Sequence, residues 1–124
     1  GSAGYALADG GFNATLRDYG RFGQMLLDDG GGIVPAQWIE ATRTGIHGPH
    51  FNDSLPEGSY HNQFWIVDPH SRALTCRGVF GQLIHVDWNT RMVVVKLSSY
   101  PDFTNTAYSI ATRKAIDAIA AALG

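Results

Sequence analysis

Residues 77–97 read RGVFGQLIHVDWNTRMVVVKL, and this stretch decides the fold. Leu83-Ile84-His85-Val86 and Met92-Val93-Val94-Val95-Lys96-Leu97 have the β-branched and aliphatic composition of strands. Asp87-Trp88-Asn89-Thr90 between them carries the residues of a hairpin loop. So short a connection joins antiparallel strands. Gly78 and Gly81 frame the entry to the first strand, which marks either a plain turn or a close approach of backbone to something else.

Upstream, Asn62–Val67 (NQFWIV) is apolar on both faces and reads as a covered strand, closed by the turn Asp68-Pro69-His70-Ser71. Downstream, Tyr100-Pro101-Asp102 ends the sheet. An alanine-rich helix then runs from Phe103 to Leu123. Its apolar stripe is Tyr108, Thr112, Ala115, Ile116, Ile119 and Leu123, with Arg113, Lys114 and Asp117 facing out.

Near the start, Thr15-Leu16-Arg17-Asp18 has capping-box spacing, with Asp in place of Glu. Leu16, Tyr19, Gly23, Leu26 and Leu27 follow at helical spacing, and Gly30-Gly31-Gly32 ends that helix. Gly20 and Gly23 each cost it about 1 kcal/mol against Ala, which predicts another backbone packed close on that side. Val34-Pro35 opens a second helix with Trp38, Ile39 and Thr42 inward, closed by Gly45.

The expected architecture is α+β: a three-stranded antiparallel sheet, a long C-terminal helix on one face and two further helices. Its parts are a lead-in at 1–11, helices and loop at 12–60, sheet at 61–100 and C-terminal helix at 101–124. Apolar residues on both strand faces require cover on both sides.

The 124 residues are one domain's worth. Nine basic and eleven acidic side chains leave a net charge of −2, which argues against nucleic acid or an anionic membrane surface as partner. No apolar run is long enough to span a bilayer. The opening Gly1-Ser2-Ala3-Gly4-Tyr5 has no signal-peptide character, and the compartment stays open. The single cysteine, Cys76, excludes an internal disulfide and a cysteine-rich zinc module.

Candidate chemistry is sparse. His47, His50 and His61 lie near Asp53 and Glu57, but His47 and His50 are in a Gly/Pro-rich loop unsuited to a rigid metal site, so no metal and no cofactor are expected. His85 alternates with Ile84 and Val86 and reads as an outward or hydrogen-bonded side chain. Cys76 has no local base to activate it. Arg77 could pair with a substrate carboxylate or form a surface ion pair. Trp38, Trp65 and Trp88 read as packing residues.

Taken in order, GGFNATLRDYGRFGQMLLDDG (10–30), NQFWIVDP (62–69), RGVFGQLIHVDWN (77–89) and RMVVVKLSSYPD (91–102) resemble the C-terminal part of the serine β-lactamase-related superfamily. The likeness is to its class C-like branch, which includes 6-aminohexanoate-dimer hydrolase and esterases of β-lactamase fold. Asp18 to Phe22-Gly23 matches the branch's helix pattern, and Gly78-Val79-Phe80-Gly81-Gln82 its later strand.

The resemblance implies a partial β-lactamase/transpeptidase-like fold and acyl transfer by a serine in Ser-x-x-Lys, with backbone N–H groups holding the oxyanion. It makes Val79 a backbone oxyanion donor and Arg77, Gly78, Phe80 and Gln82 substrate-binding residues, with the 45–60 loop as a further wall. Cys76-Arg77-Gly78 stands where many members carry Lys-Thr-Gly, which makes a β-lactam a less fitting substrate than another amide or an ester.

No serine here is followed by lysine three residues on: Ser2, Ser54, Ser59, Ser71, Ser98, Ser99 and Ser109 all fail. Tyr60-His61-Asn62 spells the family's Tyr-x-Asn but falls too late in the order. The expectation is therefore a C-terminal piece of a larger serine hydrolase, inactive alone, with a small amide or ester substrate in the parent and a tendency of the isolated piece to self-associate. The alternatives are a stand-alone, non-catalytic ligand- or protein-binding α/β module, or a penicillin-binding-like sensor fragment.

Overall fold

The computed structural model describes Gly4, residues 10–44 and residues 58–124. Helix α1 (Leu16–Leu27) begins as its capping residues predict: Thr15 Oγ1 accepts the Asp18 N–H at 3.1 Å and donates to the Asp18 carboxylate at 2.8 Å. It ends at Leu27 with Asp28 as cap, and the chain then turns through Asp29, Gly30, Gly31 and Gly32, all at positive φ. A Cβ at Gly30 would stand 1.9 Å from the Val34 carbonyl oxygen, so only glycine fits that turn. Helix α2 (Ala36–Thr44) starts directly after Pro35. It buries Ile39, Thr42 and Arg43, whereas Trp38 is 40% exposed and only partly inward.

The sheet has five strands, not the expected three: β1 (Ser59–His61), β2 (Phe64–Ile66), β3 (Ala73–Gly78), β4 (Gln82–Asp87) and β5 (Met92–Lys96). They form an antiparallel meander in chain order. The expected strand over 62–67 is shortened to β2, because Asn62 and Gln63 both take positive φ and form a turn, and β1 lies before that turn, outside the expected strand. The segment before Gly78 is a strand of its own. Leu74 and Cys76 point to one face, and Thr75 and Arg77 to the other. The β4–β5 loop follows expectation: the Asp87 carboxylate accepts from Asn89 N and Thr90 Oγ1, each at 2.8 Å.

One face carries Phe64, Ile66, Leu74 and Val86, packed with Leu26, Leu27, Ile39 and Trp88 into the buried core. Gly23 lets α1 approach, but the close neighbour is the Val93 side chain and not a backbone. Gly20 has nothing near it, so the expected close approach fails there. Arg91 donates to the Leu27 carbonyl at 3.2 Å, and Trp88 Nε1 to Asp29 at 3.2 Å, which ties the β4–β5 hairpin to the end of α1.

Helix α3 (Thr106–Leu123), capped by Asn105 Oδ1 accepting the Tyr108 N–H at 3.0 Å, lies over the other face. Its stripe differs from expectation. Ile116 is its buried residue, while Tyr108, Ile119 and Leu123 are largely exposed. Arg113, expected to face out, turns toward the sheet. Among the described residues, no helix is long and apolar enough to cross a membrane.

Candidate active site

The β3–β4 connection, Val79-Phe80-Gly81, is one tight turn. Phe80 sits in the left-handed region at φ 59° and ψ 23°, and Gly81 follows at φ 85°. A left-handed non-glycine residue costs on the order of 1 kcal/mol and persists only where its surroundings hold it. Here the Phe80 N–H donates to the Phe103 carbonyl at 2.9 Å, and the Phe80 carbonyl accepts from Tyr100 N at 3.1 Å. Among the described residues, no turn or loop hydrogen bond takes the Val79 N–H.

Strand β2 pairs with β3 at Trp65 opposite Thr75. Arg77, Gly78 and Val79 lie beyond the end of β2, so this length of β3 has β4 on one side and no described strand on the other. Val79 is 57% exposed and Phe80 43%. The five residues named from the sequence are thus contiguous at one sheet corner. Arg77, Gly78, Val79 and Gln82 also border a cleft of about 490 Å³ between the sheet and α3, and Phe80 lies outside it. The Gln82 amide is engaged at both ends by the Ser98 backbone: Nε2 donates to its carbonyl, and Oε1 accepts its N–H at 3.0 Å. Gln82 therefore fastens the start of β4 to the chain leaving β5.

Cys76 is no nucleophile as it stands, since burial pushes its thiol up to about 11 and keeps it protonated. His85 is buried, and its Nδ1 lies 2.9 Å from Thr75 Oγ1 across the β3–β4 ladder. Burial, then the Arg113 charge, lowers its pKa, with Asp87 and Asp117 opposing. It is the hydrogen-bonded histidine expected. Arg77 forms no ion pair with any described carboxylate, and Arg113 pairs with Asp117 at 2.8 Å. Tyr60 lies in β1 with its ring against Trp65 at 5.0 Å. His47, His50, Asp53, Glu57, Gly45 and most of the 45–60 loop lie outside the described residues. Among the described residues, no three metal-ligating side chains gather.

Sequence reasoning missed Lys96, Tyr100 and Thr112. Lys96 Nζ donates to the Gly81 carbonyl and to Tyr100 Oη, both at 2.9 Å, and Tyr100 Oη lies 3.0 Å from Thr112 Oγ1. Only the lysine at the end of an apolar strand hinted at them.

The corner brings the Val79 backbone and the Arg77 side chain together beside the cleft. Comparison with known proteins shows what the chain is similar to. No family model matches the chain. A curated relative, the 6-aminohexanoate-dimer hydrolase of Paenarthrobacter ureafaciens, is 36% identical over 108 residues, or 80% of this chain and 28% of the relative. A solved structure from Bacillus anthracis, assigned as a 6-aminohexanoate-dimer hydrolase, superposes with a TM-score of 0.74 at 34% identity, over 91% of this chain and 30% of that one. The chain is a relative of the 6-aminohexanoate-dimer hydrolases and spans less than a third of the length of these two proteins.

Proposed function

We propose that the chain is the C-terminal part of a serine hydrolase of β-lactamase fold, which cleaves an amide or ester through an acyl-enzyme. The serine and its lysine belong to the portion of such a protein that this chain does not span, so the chain alone is inactive. Its contribution is the corner at 77–82. The Val79 N–H meets the oxygen that becomes anionic as the tetrahedral intermediate forms. Arg77, Gly78 and Phe80 face the substrate, and Gln82 secures the turn. The observation that carries this reading is the distribution of hydrogen bonds: Phe80 N–H is taken by Phe103, whereas among the described residues no turn or loop hydrogen bond takes the N–H of Val79, a residue 57% exposed beyond the end of β2.

The test is Val79→Pro against Val79→Ala in the longer polypeptide carrying this segment. The proline removes the N–H and should lower kcat about 10²–10³-fold, the usual loss for one oxyanion donor. The alanine keeps the N–H and should change kcat little. Equal effects would refute the role.

A second reading, a non-catalytic binding module, draws on α3, whose Tyr108, Ile110, Ile119 and Leu123 are about half exposed or more. Under the hydrolase reading the rest of the polypeptide covers that face, and the isolated chain self-associates through it. A monomer by light scattering that still binds a partner there would favour the module.

A further inference from the structure

We propose that Lys96 is a positioning residue for the oxyanion turn, acting through its hydrogen bond to the Gly81 carbonyl; the proposal rests on the role given to Val79 above. The turn is strained, because Phe80 takes a left-handed conformation without being glycine. Such a turn keeps its shape only if neighbours over-determine it. The neighbours are the last residue of β5 and the segment that leaves it. Tyr100 N and Phe103 O hold Phe80 on its two backbone sides, and Lys96 Nζ holds the Gly81 carbonyl.

Lys96 is itself held. Its ammonium donates to Tyr100 Oη and stands 4.2 Å from the centre of the Tyr100 ring. The Thr112 hydroxyl donates to the Tyr108 carbonyl at 2.9 Å, so its oxygen is left to accept from the Tyr100 hydroxyl. The donors thus run one way, from Lys96 to Tyr100 to Thr112 to the α3 backbone. The Tyr100 ring also sits where a side chain at Gly81 would be: a Cβ there would stand 2.5 Å from ring atoms. Lysine supplies what the site needs, since one ammonium donates to two acceptors at once and a charged donor bonds more strongly than a neutral one.

The experiment has two arms. In this chain, amide hydrogen exchange is read by NMR for Lys96→Met and Lys96→Arg. Lys96→Met should speed exchange at the Phe80 and Tyr100 amides about tenfold, as expected when one charged hydrogen bond is lost locally. The Val86 amide, deep in β4, should not change, and Lys96→Arg should restore much of the protection. In the longer polypeptide, Lys96→Met should lower kcat about tenfold with KM nearly constant, the mark of a contact that matters in the transition state.

Unchanged exchange at Phe80 and Tyr100 would overturn the proposal, as would equal quickening at Val86. If Val79→Pro lowers kcat and Lys96→Met does not, the positioning role fails and the Val79 role stands. If Val79→Pro itself has no effect on kcat, the Val79 role fails and the positioning claim falls with it. Should Lys96→Met not fold, Tyr100→Phe removes the lysine's second acceptor while keeping the ring, and the same local quickening is expected.

Discussion

Gly20 and Gly23 lie one turn apart on α1, and the structure assigns them opposite fates on substitution. An alanine at either position gains about 1 kcal/mol of helix propensity. At Gly20 a Cβ meets nothing within 4 Å, so Gly20→Ala should stabilise the chain by about 0.5–1 kcal/mol. At Gly23 the Cβ would stand 2.4 Å from Val93 Cγ1, a full ångström inside the 3.4 Å where ordinary contact begins. Ile84 Cγ2, at 3.5 Å, leaves little room to tilt the other way. Overpacking of this kind costs about 1–3 kcal/mol, which outweighs the propensity gain. Gly23→Ala should therefore fall about 2 kcal/mol below Gly20→Ala. Urea unfolding followed by circular dichroism reads both midpoints at a common slope. Adding Val93→Ala removes the colliding methyl, so the double variant should show a favourable coupling of about 1 kcal/mol. If Gly23→Ala is as stable as Gly20→Ala, the packing of α1 on β5 described here is wrong.

Two pH effects follow from burial. The Cys76 thiol, raised from 9.0 to about 11, binds its proton more tightly folded than unfolded. Its contribution is whole below pH 9 and lost as pH rises to 11, about 3 kcal/mol at most; native chain at pH 8 should resist iodoacetamide that the urea-unfolded chain takes up. His85 is lowered from 6.5, so it favours the fold above that pH, and stability declines as pH drops below it. A proton NMR titration should show its ring charging below the ordinary histidine range, and Thr75→Val should destabilise the chain by about 1 kcal/mol through the lost 2.9 Å hydrogen bond.

Much of this architecture is legible in the sequence where one local signal dominates. Thr15 and Asp18 announce α1, the three glycines mark the turn just after its end, Pro35 opens α2, and the Asp87 loop joins two plainly apolar strands. The two missed strands had weaker signals. β3 mixes Thr75 and Arg77 with Leu74 and Cys76, an alternation that registers only once both faces are known to be covered. The β1–β2 turn needs positive φ at Gln63, which no turn propensity foretells. The α3 stripe was right at Thr112 and Ile116, which face the cleft, but missed Ser109 and Arg113, because polar side chains also line that cleft. The corner at 77–82 was legible as a turn with glycines. The bonds holding it come from Lys96, Tyr100 and Phe103, roughly fifteen to twenty-five residues away, and only the folded chain brings them there.

The central claim is that this chain supplies one wall of a hydrolase site and no nucleophile. The measurement that tests it most directly is turnover of a short-chain p-nitrophenyl ester by the 124-residue chain and by the longer polypeptide that carries it. The account predicts turnover by the longer protein, lost when its Ser-x-x-Lys serine is replaced, and none by the chain alone. Turnover by the chain alone, persisting in Cys76→Ala, would contradict it.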